Sequence, residues 1–275
     1  MTHPDPFCIL SLRDYEAEPT AGKGMTYRIH LPVREELKWI HDHESLKKRH
    51  ANGNILWLSG GGAYVINQEW VPLVQRTFFS PTNPGKLTLS TGRAESLEEL
   101  LHPQKIIREL FEEIVLFQDN ETPLIPDLGE DFCCESSMRR CLELAHISFR
   151  RFQKIPARLD PSLQPDCVEV YDGGTLKSKT RGLIHHDRES GEFNLLFAVH
   201  LKIEMALIPS IIFRDTECIP LHGQLSPANR NVFLYHLPTE SIYTCGPNKH
   251  LKVERETPSI TNHALLMLQK LQGAC

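Results

Sequence analysis

The chain has 275 residues, about 40% of them hydrophobic and 24% charged, with a net charge of −5 and a pI near 6.3. That is the make-up of a globular protein long enough for one elaborated domain or two small ones. It lacks the basic excess of a bulk nucleic-acid or anionic-membrane binder, and Lys47-Lys48-Arg49 is only a local basic run.

No stretch of 18 apolar residues predicts a transmembrane helix. The opening MTHPDPFCILSLRDYE lacks the basic start, apolar core and small-residue cleavage site of a signal peptide. A cytoplasmic protein with no membrane partner is therefore expected. The eight cysteines are scattered without a CxxC pair, which argues against both a structural zinc and a disulfide framework.

In chain order, Phe7 to Leu12 reads as a short strand and Glu16 to Gly24 as a loop. Tyr27, Ile29, Leu31 and Val33 alternate with polar residues at strand period. Arg34 to His50 reads as a polar surface helix ended by Asn52-Gly53. Its His41-Asp42-His43 does not put both rings on one helix face, so a solvated patch is expected there. Gly60-Gly61-Gly62 lacks a following Gly-Lys-Ser/Thr and reads as a flexible turn, not a phosphate loop. Ala63 to Asn67 and Val71 to Gln75 form a predicted hairpin. A short strand from Lys86 to Leu89 leads to Gly92.

An acidic loop and a helix from about Pro103 to Phe117 follow. Proline suits a first helical turn. Ile107, Leu110, Phe111 and Ile114 make one apolar face. Glu109, Glu112 and Glu113 gather on the other side, where three like charges repel unless a cation joins them. Clustered hard oxygen ligands suit Mg²⁺ or Mn²⁺. By itself, such a stripe also fits a solvated helix face.

Beyond it, 118–131 and Pro156 to Pro165 read as proline-containing loops around a helix from Ser136 to Phe152. Strands are predicted at Val168 to Tyr171, Arg181 to His186, Phe193 to Ile203, Ser210 to Arg214 and Val232 to His236. The helix Thr261 to Leu271 closes the chain. His185-His186 point to opposite faces of a strand. No Gly-x-Ser-x-Gly occurs, and nothing indicates a nucleophile triad.

The segment Gly92 to Leu116, GRAESLEELLHPQKIIRELFEEIVL, resembles the signature of the Nudix hydrolase superfamily. Gly92 is followed by five residues and Glu98, and Arg108-Glu109-Leu110-Phe111-Glu112-Glu113 matches the core of the box. Val71 to Arg76 and Leu87 to Gly92 are similar to the segments that precede it. Two departures stand out. Nine residues separate Glu98 from Arg108 where the pattern has seven, and Val115 occupies the position of the box glycine.

The resemblance implies an α/β fold, a Nudix-like α/β/α sandwich with a mixed sheet. It would comprise an N-terminal extension over 1–58 and a catalytic domain over 59–275, with an insertion around 118–165. It further implies Mg²⁺- or Mn²⁺-dependent hydrolysis of a pyrophosphate bond in a nucleoside diphosphate derivative. Glu112 and Glu113 would be the principal metal ligands and Glu109 a further one; these three are the catalytic candidates. Arg108 would orient them by ion pairing. The Gly92 carbonyl would add a metal contact, and Glu98 would be structural or an outer ligand. Arg76 is the candidate substrate contact. The general base would lie outside the box, with Asp187, Glu189, Asp215 and Glu217 as candidates. A small nucleotide-like substrate and a homodimer are the partners implied.

Val115 and the lengthened loop favour a rival, a Nudix-fold module that binds a nucleotide or phosphosugar without turnover. The intact glutamates favour the enzyme. A third reading is an interaction protein whose extra segments supply a partner surface.

Overall fold

The computed structural model describes residues 7–8, 10–11, 15–20, 24–31, 39–40, 55–76, 83–94, 97–118, 122–129, 132, 134–144, 148–187, 192–204, 212–215, 232–245, 251–253 and 258–273. The protein is mixed α/β and predominantly strand. The described residues include four α-helices: α1 (Leu97–Leu101), α2 (Arg108–Glu113), α3 (Cys134–Leu144) and α4 (Asn262–Gln272). None is long and apolar enough to cross a membrane. The chain forms two compact units, each assembled from separated segments. The first takes 1–61, 91–107 and 161–197; the second takes 62–90, 108–160 and 198–275.

In the first unit, Tyr15–Pro19, Met25–Leu31, Asp166–Asp172 and Thr175–Asp187 lie side by side. The middle pair is parallel and the outer pairs are antiparallel. Residues directly opposite one another share a face. One face therefore carries Ile29, Val168 and Val170, all buried. The other carries Arg28, Glu169 and Lys179 as a cross-strand row. Asp166 ties this sheet at its start. Its two carboxylate oxygens accept the backbone N–H groups of Met25 (2.8 Å) and Ile184 (2.9 Å).

Several expectations change here. Glu16 to Gly24 is not simply a loop, because Tyr15–Pro19 is a strand. It pairs on one side with Met25–Leu31. Its glutamates and terminal proline suit an edge, where charge and a missing donor discourage further pairing. Gly60-Gly61-Gly62 is not a turn but the interior of the long strand Ile55–Ile66. A Cβ on Gly60 would stand 2.3 Å from the Leu195 carbonyl oxygen and 2.8 Å from Ile106 Cγ2. Close approach, and not flexibility, is what requires glycine there. In the region expected as a helix from Arg34 to His50, Trp39–Ile40 is a strand paired with Phe7–Cys8. The rest of that region, including His41-Asp42-His43 and Lys47-Lys48-Arg49, lies outside the described residues.

The second unit contains the expected hairpin. Ile66 pairs with Trp70 across a turn in which Asn67 and Gln68 have φ of 52° and 65°. Such left-handed pairs match the twist of a tight hairpin. Trp70–Gln75 lies between Leu87–Thr88 and Val232–His236, and the ladder continues through Ser241–Cys245 to Leu251–Val253. The last two strands are absent from the sequence-based expectation. α4 docks beside Leu87–Thr88 through a buried polar contact, Thr88 Oγ1 to His263 Nε2 at 2.7 Å. Its apolar stripe of Ala264, Met267, Leu268 and Leu271 is buried.

A second ladder in this unit joins Ile212–Asp215, Ile114–Phe117, Pro123–Asp127, Gln153–Leu159 and the end of Glu192–Leu201. Three expectations fail along it. The helix expected to reach Phe117 stops at Glu113, and Ile114–Phe117 is a fully buried strand. The expected loops at 118–131 and Pro156 to Pro165 contain the strands Pro123–Asp127 and Gln153–Leu159. Their prolines suggested loops, but the parallel ladder between these strands accommodates Pro126 and Pro156, and Pro123 stands opposite Phe117 in the antiparallel pair. α3 ends at Leu144, short of the expected Phe152.

Candidate functional site

Leu110 and Phe111 fix α2 because both are wholly buried. Phe111 packs near Tyr64, with ring centroids 6.4 Å apart. The Tyr64 hydroxyl has no hydrogen-bond partner among the described residues. Burial pushes its pKa well above the ordinary range, so it stays neutral. With that apolar side anchored, helical spacing sets the polar positions of the same short helix.

Arg108 reaches two carboxylates from its single guanidinium. Nη2 lies 2.8 Å from Glu109 Oε1, and Nη1 lies 2.8 Å from Glu112 Oε2. Glu109 is buried at 4% exposure, where a charge needs ion pairing, and Arg108 supplies such a pair. Glu112 and Glu113 are half-buried. The ion pairing expected between Arg108 and these glutamates is present.

The other box residues belong to the first unit. Gly92 lies in the strand Ser90–Arg93. Glu98 sits in the first turn of α1 and is ion-paired with Lys105. The Lys105 ammonium holds its carboxyl below the usual range. The acidic stretch before Pro103, expected as a loop, is therefore partly helical, and Pro103–Ile107 forms a 3-10 turn before α2.

Val115, at the box-glycine position, is buried in a strand and paired with Arg214. A continued helix does not account for it. Arg76 follows the strand Trp70–Gln75, and its backbone N–H donates to Lys86 O at 3.0 Å.

The four general-base candidates separate. Asp215 ends the strand Ile212–Asp215 and is the register partner of Ile114, the residue after Glu113. Asp187 ends a strand of the first unit, opposite Glu192. Glu189 and Glu217 lie outside the described residues. Residue spacing alone offers no way to rank these four, because register is set by pairing between distant segments.

Carboxylate oxygens are the right donor type for Mg²⁺ or Mn²⁺. Among the described residues, however, no three His, Cys, Asp or Glu side chains form a group that could hold a metal ion. Glu109 and Glu112 instead share the Arg108 cation. Compared with known proteins, the chain matches no family model, and no curated protein matches it.

Proposed function

We propose that this protein is a Nudix-like, metal-dependent hydrolase of a pyrophosphate bond in a nucleoside diphosphate derivative or related nucleotide. Glu112 and Glu113 would hold Mg²⁺ or Mn²⁺, with Glu109 as a further ligand. The observation that carries the reading is the double pairing of Arg108 with Glu109 and Glu112. It holds two of the three box carboxylates in a defined arrangement on a helix anchored by Phe111. A bound divalent ion would neutralise phosphate charge and lower the pKa of an attacking water. The general base would be one of Asp187, Glu189, Asp215 and Glu217.

The second reading is a Nudix-fold module that binds a nucleotide or phosphosugar without turning it over. Two observations favour it: α2 ends at Glu113, and Arg108 already neutralises two of the carboxylates.

One experiment separates the readings. The purified protein is incubated with Mg²⁺ or Mn²⁺ and a panel of nucleoside diphosphate derivatives, nucleoside triphosphates and dinucleoside polyphosphates. The enzyme reading expects cleavage of at least one member. It also expects a loss on the order of a hundredfold or more in Glu112→Gln. Saturable nucleotide binding without cleavage supports the module. Neither cleavage nor binding rules out both.

A further inference from the structure

In the second unit, the segment Phe149-Arg150-Arg151-Phe152-Gln153-Lys154 interleaves two aromatic rings with three cations. The two rings pack on each other, with centroids 4.5 Å apart. Arg139 of α3 lies over both. Its Cζ stands 4.6 Å from the Phe152 centroid and 5.8 Å from that of Phe149. Cation–π attraction of this kind holds a guanidinium and its rings as one surface. Both rings are half-buried, whereas Arg139, Arg150, Arg151 and Lys154 are exposed.

The cations gather around this stack. Arg139 Nη2 and Lys154 Nζ flank a single carboxylate, Glu135, at 3.4 and 3.8 Å. Arg150 and Arg151 fall between the two phenylalanines in sequence, so their Cα atoms lie within about 8 Å of those of the ring residues. That is about one Debye length at physiological ionic strength, so their charges act together. Arg140 of α3 is also exposed. Among the described residues of α3 and its neighbouring strands, the exposed carboxylates are Glu135, Glu143 and Asp127. Five cations against three anions make this surface locally positive on a chain whose net charge is −5.

We propose that this surface binds single-stranded nucleic acid. Its bases would stack on the Phe149, Phe152 and Arg139 platform, and Arg150, Arg151 and Lys154 would draw the phosphate backbone. Bases stack on aromatic faces and on guanidinium planes alike, and basic side chains around them gain affinity by releasing the strand's counterions. An anionic membrane is a poorer match, because it takes up apolar side chains that protrude. Neither Phe149 nor Phe152 protrudes as the exposed Leu176 and Leu265 do. The inference does not depend on the role of Glu109, Glu112 or Glu113.

The test uses the full chain without added metal and reads fluorescence anisotropy of labelled single strands of about 12 nucleotides, one DNA and one RNA. Saturable binding of at least one is expected, tighter than binding of the corresponding duplex or of inorganic polyphosphate. Raising salt from about 50 to about 200 mM should weaken it on the order of tenfold. Arg150→Gln/Arg151→Gln should lower affinity on the order of tenfold and flatten that salt dependence. Phe149→Leu should weaken binding about fivefold or more with the salt dependence kept, while Phe149→Trp, which retains a ring, binds like the original chain. An unchanged thermal midpoint of the arginine variant is the folding control. The proposal is overturned if neither strand saturates, if duplex or polyphosphate binds as tightly, or if Phe149→Leu or the arginine variant binds like the original chain. Capture by anionic vesicles without strand binding overturns it as well.

Discussion

Glu109 is a carboxylate with almost no contact with water, and a buried charge is tolerated only with a partner. Arg108 is that partner, and it simultaneously holds Glu112 one turn along. Removing the guanidinium would take this ion pair away from both carboxylates. Arg108→Ala is expected to lower unfolding free energy by about 3 kcal/mol, within the span seen when one member of a buried pair is lost. Adding Glu109→Gln to that variant should recover part of the loss, since one buried carboxylate charge disappears. Urea denaturation of the two single variants and the double variant measures the coupling. Additive effects would show that the pair is not the reason Glu109 can be buried.

At the scale of elements, the decisive segment is Ile114–Phe117. An apolar run of four continues the predicted helix face equally well or forms a buried strand, and periodicity does not choose between them. Pairing with Ile212–Asp215 and Pro123–Asp127 makes it a strand. Val115 is then at home, because a β-branched side chain suits a buried pleat. Val115→Gly would therefore remove packing and loosen the strand, costing about 3 kcal/mol. A thermal midpoint equal to that of the unmodified chain would contradict this role for Val115. Gly60 is the converse case. Gly60→Ala would force its Cβ against the Leu195 carbonyl and is expected to cost about 2 to 3 kcal/mol, read by the same denaturation measurement.

These cases show which parts of the molecule local sequence could reveal. The Arg108–Glu112 pairing follows from i, i+4 spacing, and the hairpin around Gln68 and Glu69 follows from alternation and turn chemistry. The stop of α2 depends on strands about a hundred residues away in sequence, so no local pattern contains it. The same holds for His200 and Asp160, which meet across 40 positions. Prolines at 123, 126 and 156 concealed two strands, because their missing donors resemble loop signals until the partner strands are known.

For the molecule as a whole, acid stability is where one residue's environment becomes a property of an entire unit. Glu169 sits in the central row of the first unit's sheet. It accepts hydrogen bonds from Lys179 Nζ at 2.8 Å, Tyr171 Oη at 3.1 Å and Arg28 Nε at 3.4 Å. The Lys179 hydrogen bond, opposed by burial and aided by Tyr171, Lys179 charge and Arg28, holds its carboxyl below the usual glutamate range. The folded state thus binds this proton less readily than the unfolded chain. The stability Glu169 provides is fully present above the unfolded glutamate pKa, about 4.3. It declines as pH falls through the lower folded value. Lys179 is 55% exposed, so solvent screens part of the interaction. Glu169→Gln should cost about 1 to 2 kcal/mol at neutral pH, from a hydrogen-bonded charge at the weaker end of its range. Its deficit should shrink toward zero as pH falls below that window, because the unmodified chain is by then protonated at the same position. Urea titrations at about pH 7 and at successively lower pH values make the comparison. A deficit that stays constant between them would show that Glu169 acts by shape and not by charge.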